Sequence, residues 1–564
     1  MLKRAFTLYT FVAILGVATY ASDRTDSEMR SIAGRQLYGA MTRGAVPAAK
    51  DLKLEMKDNN LSIYSAAGRG FVVISRDNAF PAVLGSSSTA IDMNNLPEGF
   101  SWWLQEASRS LQERLENGEG YARTRSDIVV EPFLTTNWDQ VNPYNLKCPK
   151  IATDYCPTGC VATAAAQIMK YYNYPVQGCG SAKYQKNGVP RTKEINSVYD
   201  WANMKNTYAK TQTTLTTETE AVATLMADVG AACGMKYTGN YGSATLDDCA
   251  NGLIHNFQYD SLSLNMSLRF FYDDVEWRGL VYNELANQRP ILYAGSPNSK
   301  EEGAGHAFVF HGLNAEGMVY VNWGWNGTCD GYYDIDLLQP GKDAVQKGDY
   351  SGSGQMLYGF NPTNTPSEDV EERSIWGTDT ICSFLIEKDS LVLKARGIFN
   401  YNYRAFRGKL LVTLDNINGV EEDCFDLILY DTEIESDGSV GKFYGFYFND
   451  EDHKQYGQEA LCDLKGIDIK AGTYIVTLAS QGIYESVPSP MRYYKGVKCQ
   501  AQLVKGKDGS IELTDLTPTA IKSMKSEMTH DSSKIYDLHG RSLGTDGSSL
   551  RKGIYIVGGK LVVR

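Results

Sequence analysis

Histidine is scarce in this chain, with six in 564 residues, and so is basic charge: 55 Lys and Arg stand against 67 Asp and Glu, a formal net charge of −12. Neutralising nucleic-acid phosphates requires a concentrated basic face, and none is found, so no nucleic-acid partner is expected. Zinc spacing is missing too. Cys148, Cys156 and Cys179 match no ligand pattern, and no His lies between Pro149 and Asn196. No metal or organic cofactor is therefore expected. Beyond the first 21 residues no segment approaches the roughly 20 apolar residues of a membrane-spanning helix.

That first segment has Lys3 and Arg4, then AFTLYTFVAILGVA, then small residues at Ala18 and Ala21. This is the layout of a cleaved secretory signal over 1–21, and the expectation is an exported, soluble protein. Eleven cysteines follow it. An odd count in an oxidising compartment leaves at least one thiol unpaired, which fits ten possible disulfide partners and one cysteine kept for chemistry.

The texture changes along the chain, whose length suits about three or four domains. In 22–125, RGFVVISRD reads as a strand, and WWLQEASRSLQERL sets Trp103, Leu104, Ala107, Leu111 and Leu115 on one helical face. The polar joint GEGYARTRSD follows, with Arg123, Arg125 and Ser126 where a protease would cut. From 126 to 362 helical and strand signals mix. A helix opens at Cys160 and stops before Pro175, a second is TETEAVATLMADVGAACGM, and GHAFVFHGL and MVYVNWGW form a hairpin across NAEG. From 375 to 520 short β-rich runs between turn signals suggest a sandwich-like domain, and 525–564 holds further strand pieces.

CPTGCVATAAAQIMKYYNYP carries the chemistry. A thiol at the first residue of a helix meets unpaired N–H groups and the positive end of the helix dipole, which favour thiolate. Structural pairing and metal ligation are the competing fates of Cys160. A nucleophilic thiol needs a base. His306 and His311, five apart on one strand, face opposite sides, so only one can enter a cleft. His306, between Gly305 and Ala307, has more room. Asn322 in the neighbouring strand could orient its imidazole, with Trp323 and Trp325 as shields or as ordinary core. Gln140 could donate to an oxyanion or be a plain surface residue.

Taken together, WDQ at 138–140, GCVATAAAQIMKYYNYP at 159–175, GHAFV at 305–309 and VNWGWNGTCDGYY at 321–333 resemble the streptopain-type, interpain-like cysteine peptidases. The resemblance implies an α+β fold with a papain-like two-subdomain peptidase at 126–362, preceded by an inhibitory propeptide at 22–125 with cleavage near Arg123 to Ser126. It implies Cys160 as nucleophile, His306 as base and acid, Asn322 as orienting residue beside Trp323, and Gln140 with the Cys160 N–H as oxyanion hole. Protein substrates and the chain's own propeptide are then its partners, and it acts as a monomer. YDLHGRSL with LRKGIYIVGGKLVVR resembles the sorting signals of the type IX secretion machinery, which would carry the protein through the periplasm of a Gram-negative bacterium to release or surface attachment. Another thiol acyl-transfer enzyme (an amidase or transpeptidase), and an adhesion protein built on the 375–520 region, are the alternatives.

Overall fold

The computed structural model describes residues 22–39, 51–123, 125–295, 305–338 and 354–362; beyond these it describes 376–378, 383–387, 390–394, 398–400, 403, 408–417, 425–431, 445–446, 460–463, 467–493, 496–516, 535–536, 554–557 and 560–563. The signal-like segment 1–21 lies outside them, as do most of the NPTNTPSED joint and residues 296–304.

Thr25 starts helix α1 (Asp26–Tyr38) with a reciprocal cap: its hydroxyl accepts from the Glu28 N–H, and the Glu28 carboxylate accepts from the Thr25 N–H. Strands β1 (Lys53–Lys57), β2 (Leu61–Ala66), β3 (Gly70–Ser75) and β4 (Val83–Ser87) follow, each antiparallel to the next. β3 is buried along its whole length because its two faces have different covers. Val72 and Ile74 meet Met29 and Ala33 of α1, while Phe71 and Val73 share a core with helix α2 (Glu98–Glu116). α2 buries Trp103, Leu104, Ala107 and Leu111, with Leu115 partly buried, as the helical spacing predicts.

On the far side of residue 125 come helices α3 (Cys160–Tyr172), α4 (Thr217–Ala232), α5 (Leu246–Phe257) and α6 (Asp274–Ala286). Interleaved with and following them are strands β5 (Asn265–Leu268), β6 (Ile291–Gly295), β7 (His306–Leu313), β8 (Val319–Asn322), β9 (Gly331–Tyr333) and β10 (Gln355–Tyr358). All ten strands form one sheet in the order β1-β2-β3-β4-β9-β8-β7-β6-β10-β5. The seam is β4 against β9, antiparallel, with Tyr332 opposite Ser86.

The sheet divides two cores. Ala307, Val309, Leu292 and Leu357 point to the side packed by α3, α4 and α5. Phe308 and Phe310, with β-strand alternation, point to the other side. There they share a core with α6 and with α2, whose Phe100 and Trp103 meet Trp323 and Tyr333 at ring separations of 5.9 and 4.8 Å.

The C-terminal region is β-rich. Ser383–Glu387 and Ser390–Lys394 contribute Phe384 and Leu391 to a core shared with Leu410, Val412, Val476 and Leu503 of a larger sheet. Arg492 and Lys498 from this region reach Glu276 of α6. Ile554 and Ile556 of the last three-stranded sheet join the same core as α6. No helix among the described residues is long and apolar enough to cross a membrane.

The cysteine count misleads. Cys148, Cys156, Cys160, Cys179, Cys233, Cys249 and Cys329 are all unpaired thiols, and Cys499 is disulfide-bonded. Five of the seven are buried and serve as small apolar core residues, so an unpaired thiol does not by itself mark Cys160.

Candidate active site

Cys160 is the first residue of α3, and its helix begins without a side-chain cap, so the first-turn N–H groups remain available. Gly159 before it has φ 88°, and a Cβ there would lie 2.6 Å from the Met235 side chain. Only glycine lets the chain turn into α3 at this packing distance. The approach is pinned on both sides: the Thr158 N–H donates to the Gln140 carbonyl at 2.9 Å, and the hydroxyls of Thr158 and Thr163 bond at 2.7 Å. Burial raises the pKa of the Cys160 thiol; the N–H groups of Ala307, Val161 and Cys160 itself pull it down, and the Glu98 carboxylate of α2 adds a push upward.

His306 opens β7 and is buried. Its Nε2 lies 2.8 Å from the Trp323 carbonyl and 3.2 Å from the Trp325 Nε1. One nitrogen cannot donate to the first and accept from the second at once. The shorter contact, to a carbonyl that has no proton to give, makes Nε2–H the donor. The ring lies nearly parallel to those of Trp323 and Trp325, with centroids 6.2 and 5.6 Å away. Above it sits Gly99 of α2, where a Cβ would come within 2.3 Å of the imidazole Cδ2. Burial takes the pKa of His306 down to about 4, with the Trp323 carbonyl opposing. No hydrogen bond joins Cys160 to His306 among the described residues.

Strand parity explains that separation. His306 faces the α2 side, and the residue beside it, Ala307, faces α3, where its backbone N–H lowers the pKa of the Cys160 thiol. Asn322 pairs across the hairpin with Val309, three residues from His306 and hence on the opposite face. Its amide is fully used there: Nδ2 donates to the Thr136 carbonyl at 2.8 Å and Gln167 Oε1 at 3.1 Å, while Oδ1 accepts from Gln167 Nε2 and the Gly324 N–H. The structure therefore places Asn322 beside α3 and away from the imidazole.

Gln140 is buried, and its carbonyl bond to Thr158 sets it next to the turn that presents Cys160. Trp323 is fully buried; its backbone N–H donates to Asp330 Oδ1 at 2.8 Å while its backbone carbonyl accepts from His306. His311, on the other face, accepts the Leu134 N–H at Nδ1. At the joint, Arg123 has a side chain only 9% exposed, whereas Arg125 is exposed and Ser126 donates its N–H to the Ala315 carbonyl. Gln167 and Asp330 escaped the sequence reading. Gln167 lies seven residues, two turns, after Cys160, a polar amide among the buried Ala164, Ala165, Ile168 and Met169 of the same helix, which is a usable signal. Asp330, whose carboxyl burial pushes up to about 7 against the pull of the Trp323 N–H, carries none.

With the geometry in place, comparison with known proteins decides the lineage. A solved structure of a prointerpain A fragment from Prevotella intermedia, a cysteine-to-alanine mutant, is 33% identical and is covered over 99% of its length by 56% of this chain, with a TM-score of 0.49. The chain belongs to the Peptidase C10 family. Residues 138–333 match the profile of that family. The structure of active wild-type interpain A cysteine protease, also from Prevotella intermedia, is 38% identical, covering 42% of this chain and 98% of that one with a TM-score of 0.37. Streptopain of Streptococcus pyogenes is 29% identical over 376 residues, 61% of this chain and 92% of streptopain. The thiol protease/hemagglutinin PrtT of Porphyromonas gingivalis is 27% identical over 325 residues, 53% of this chain and 37% of its own. As a family member the chain is a cysteine peptidase.

Proposed function

We propose that this chain is a secreted endopeptidase made as a zymogen, with 22 to about 125 as its inhibitory propeptide and 126–362 as a papain-like, two-subdomain peptidase. One observation carries the reading: a Cβ on Gly99 of α2 would lie 2.3 Å from the His306 imidazole, on the face of β7 opposite to the one that Ala307 turns toward Cys160 and α3. Nucleophile and base are held one residue apart by the segment to be removed. His306 stands at the first position of β7, at the strand's end, where its side chain can swing round to the α3 face once α2 departs.

In that state the Cys160 thiolate attacks the peptide carbonyl and the oxyanion is met by the Cys160 N–H and Gln140. His306 gives its proton to the leaving amine, then takes one from the water that hydrolyses the thioester. Asn322, released from part of its bonding with Gln167, orients the ring beneath Trp323. Cys160→Ala is expected to abolish turnover and leave an unprocessed precursor; undiminished casein hydrolysis by this variant would refute the assignment.

The finer architecture belongs to the same proposal. The 375–520 region is a β-sandwich-like domain, 1–21 is a secretory signal, and 525–564 is a sorting segment read by the type IX secretion machinery on the way to release or surface attachment. Supporting it are the motifs YDLHGRSL and LRKGIYIVGGKLVVR and the terminal strands Ile554–Val557 and Lys560–Val563. Deleting 525–564 is expected to leave the protein in the periplasm, a result read by cell fractionation; normal export of the shortened chain would end this part of the reading.

A further inference from the structure

Two carboxylates lie buried just beyond β9. Asp336 is served from within the peptidase, by Arg278 of α6 at 2.7 Å. Asp334, its side chain 0% exposed, meets a cation from the other side of the joint: Arg123 Nη1 is 3.5 Å from its Oδ2, near enough for an ion pair but outside hydrogen-bond alignment. The Tyr121 hydroxyl donates to the same Oδ2 at 3.1 Å. Arg123 also faces the propeptide sheet, where Nη2 donates to the Val83 carbonyl of β4 at 2.7 Å, and the Tyr121 N–H donates to the Ala79 carbonyl at 3.0 Å. Tyr121 and Arg123 thus bridge the two sides of the β4–β9 seam through one peptidase carboxylate.

We propose that Asp334 forms a guanidinium-binding site through which the peptidase holds its own propeptide, with Arg123 as the ligand and Tyr121 as its companion. The inference rests on reading 22–125 as a removable inhibitor. A guanidinium suits the site because its planar fork can address a carboxylate and a carbonyl at once. Arg123 is then a latch and is withheld from proteolysis while the latch is closed; the exposed Arg125 side of the joint is where the first cut falls. Opening the latch breaks the Arg123–Asp334 pair and the Tyr121 hydrogen bond together, so the pair resists opening.

The test uses the full chain carrying Cys160→Ala, which cannot cut itself, as substrate for a trace of active enzyme. The rate of loss of the intact chain is followed on gels and the new N-terminus is sequenced. Arg123→Gln and Asp334→Asn are each expected to speed the cut at least tenfold, and their combination to be no faster than the faster single variant, because both remove one interaction. Arg123→Lys, which keeps the charge without the fork, is expected to fall between parent and Arg123→Gln. Cleavage at the parent's rate in Arg123→Gln, effects that multiply in the combination, or a first cut beside Arg123 in the parent would each overturn the latch while leaving the zymogen reading intact. A chain left whole in every version overturns the zymogen reading and the latch with it.

Discussion

At the scale of single residues, His306 joins protonation to folding. Its pKa in the precursor, about 4, lies below the ordinary 6.5, so the folded chain binds fewer protons than the unfolded one between those values. The neutral imidazole's contribution is complete above pH 6.5 and is lost as the pH falls towards 4, a swing on the order of 3 kcal/mol. Comparing thermal unfolding of the Cys160→Ala chain with and without His306→Gln isolates this group, since all other titrations cancel in the difference. The advantage of the histidine chain is expected to shrink steadily from pH 7 to pH 4; parallel curves would contradict the buried neutral ring. Asp330 has the opposite sign, its raised carboxyl favouring the fold at low pH, and the subtraction removes it.

Among elements, α2 does the most with the least contact chemistry. Its first turn seats Gly99 on the imidazole, and an added methyl at 2.3 Å from Cδ2 would force helix or ring to move. Gly99→Ala is expected to destabilise the precursor by about 1–3 kcal/mol and to hasten processing, measured as conversion half-time; an unchanged half-time would mean that the ring is not held by this contact. The helix itself was legible in the sequence, because Trp103, Leu104, Ala107 and Leu111 repeat at helical spacing, and so were α3 and the β7–β8 hairpin. What faced His306 was not. Periodicity assigns faces within one element, whereas the meeting of Gly99 with His306, or of Gln167 with Asn322, joins residues 207 and 155 positions apart. Parity could have warned that Asn322 and His306 differ in face, but only once the register Val309 opposite Asn322 was known.

Over the whole molecule, Glu276 ties the peptidase to the β-rich region. Burial would raise its carboxyl, yet Arg492 and Lys498 hold it below the usual range. Arg492 also donates to the Phe271 carbonyl at 3.2 Å and stacks on Tyr272 at 4.6 Å. Removing one partner of such a pair strands a buried charge, so Arg492→Met is expected to cost about 3–5 kcal/mol, and adding Glu276→Gln to recover much of it, as read by denaturant unfolding. Equal losses in the single and double variants would show that the charge pairing contributes nothing. The β4–β9 seam has another kind of consequence. On the proposed removal of the N-terminal strands, β9 becomes the sheet's open margin, with unsatisfied backbone groups that could recruit a foreign strand. At three residues, Gly331–Tyr333 offers too short a template for extended pairing, which lets maturation uncover the sheet without inviting the enzyme to aggregate.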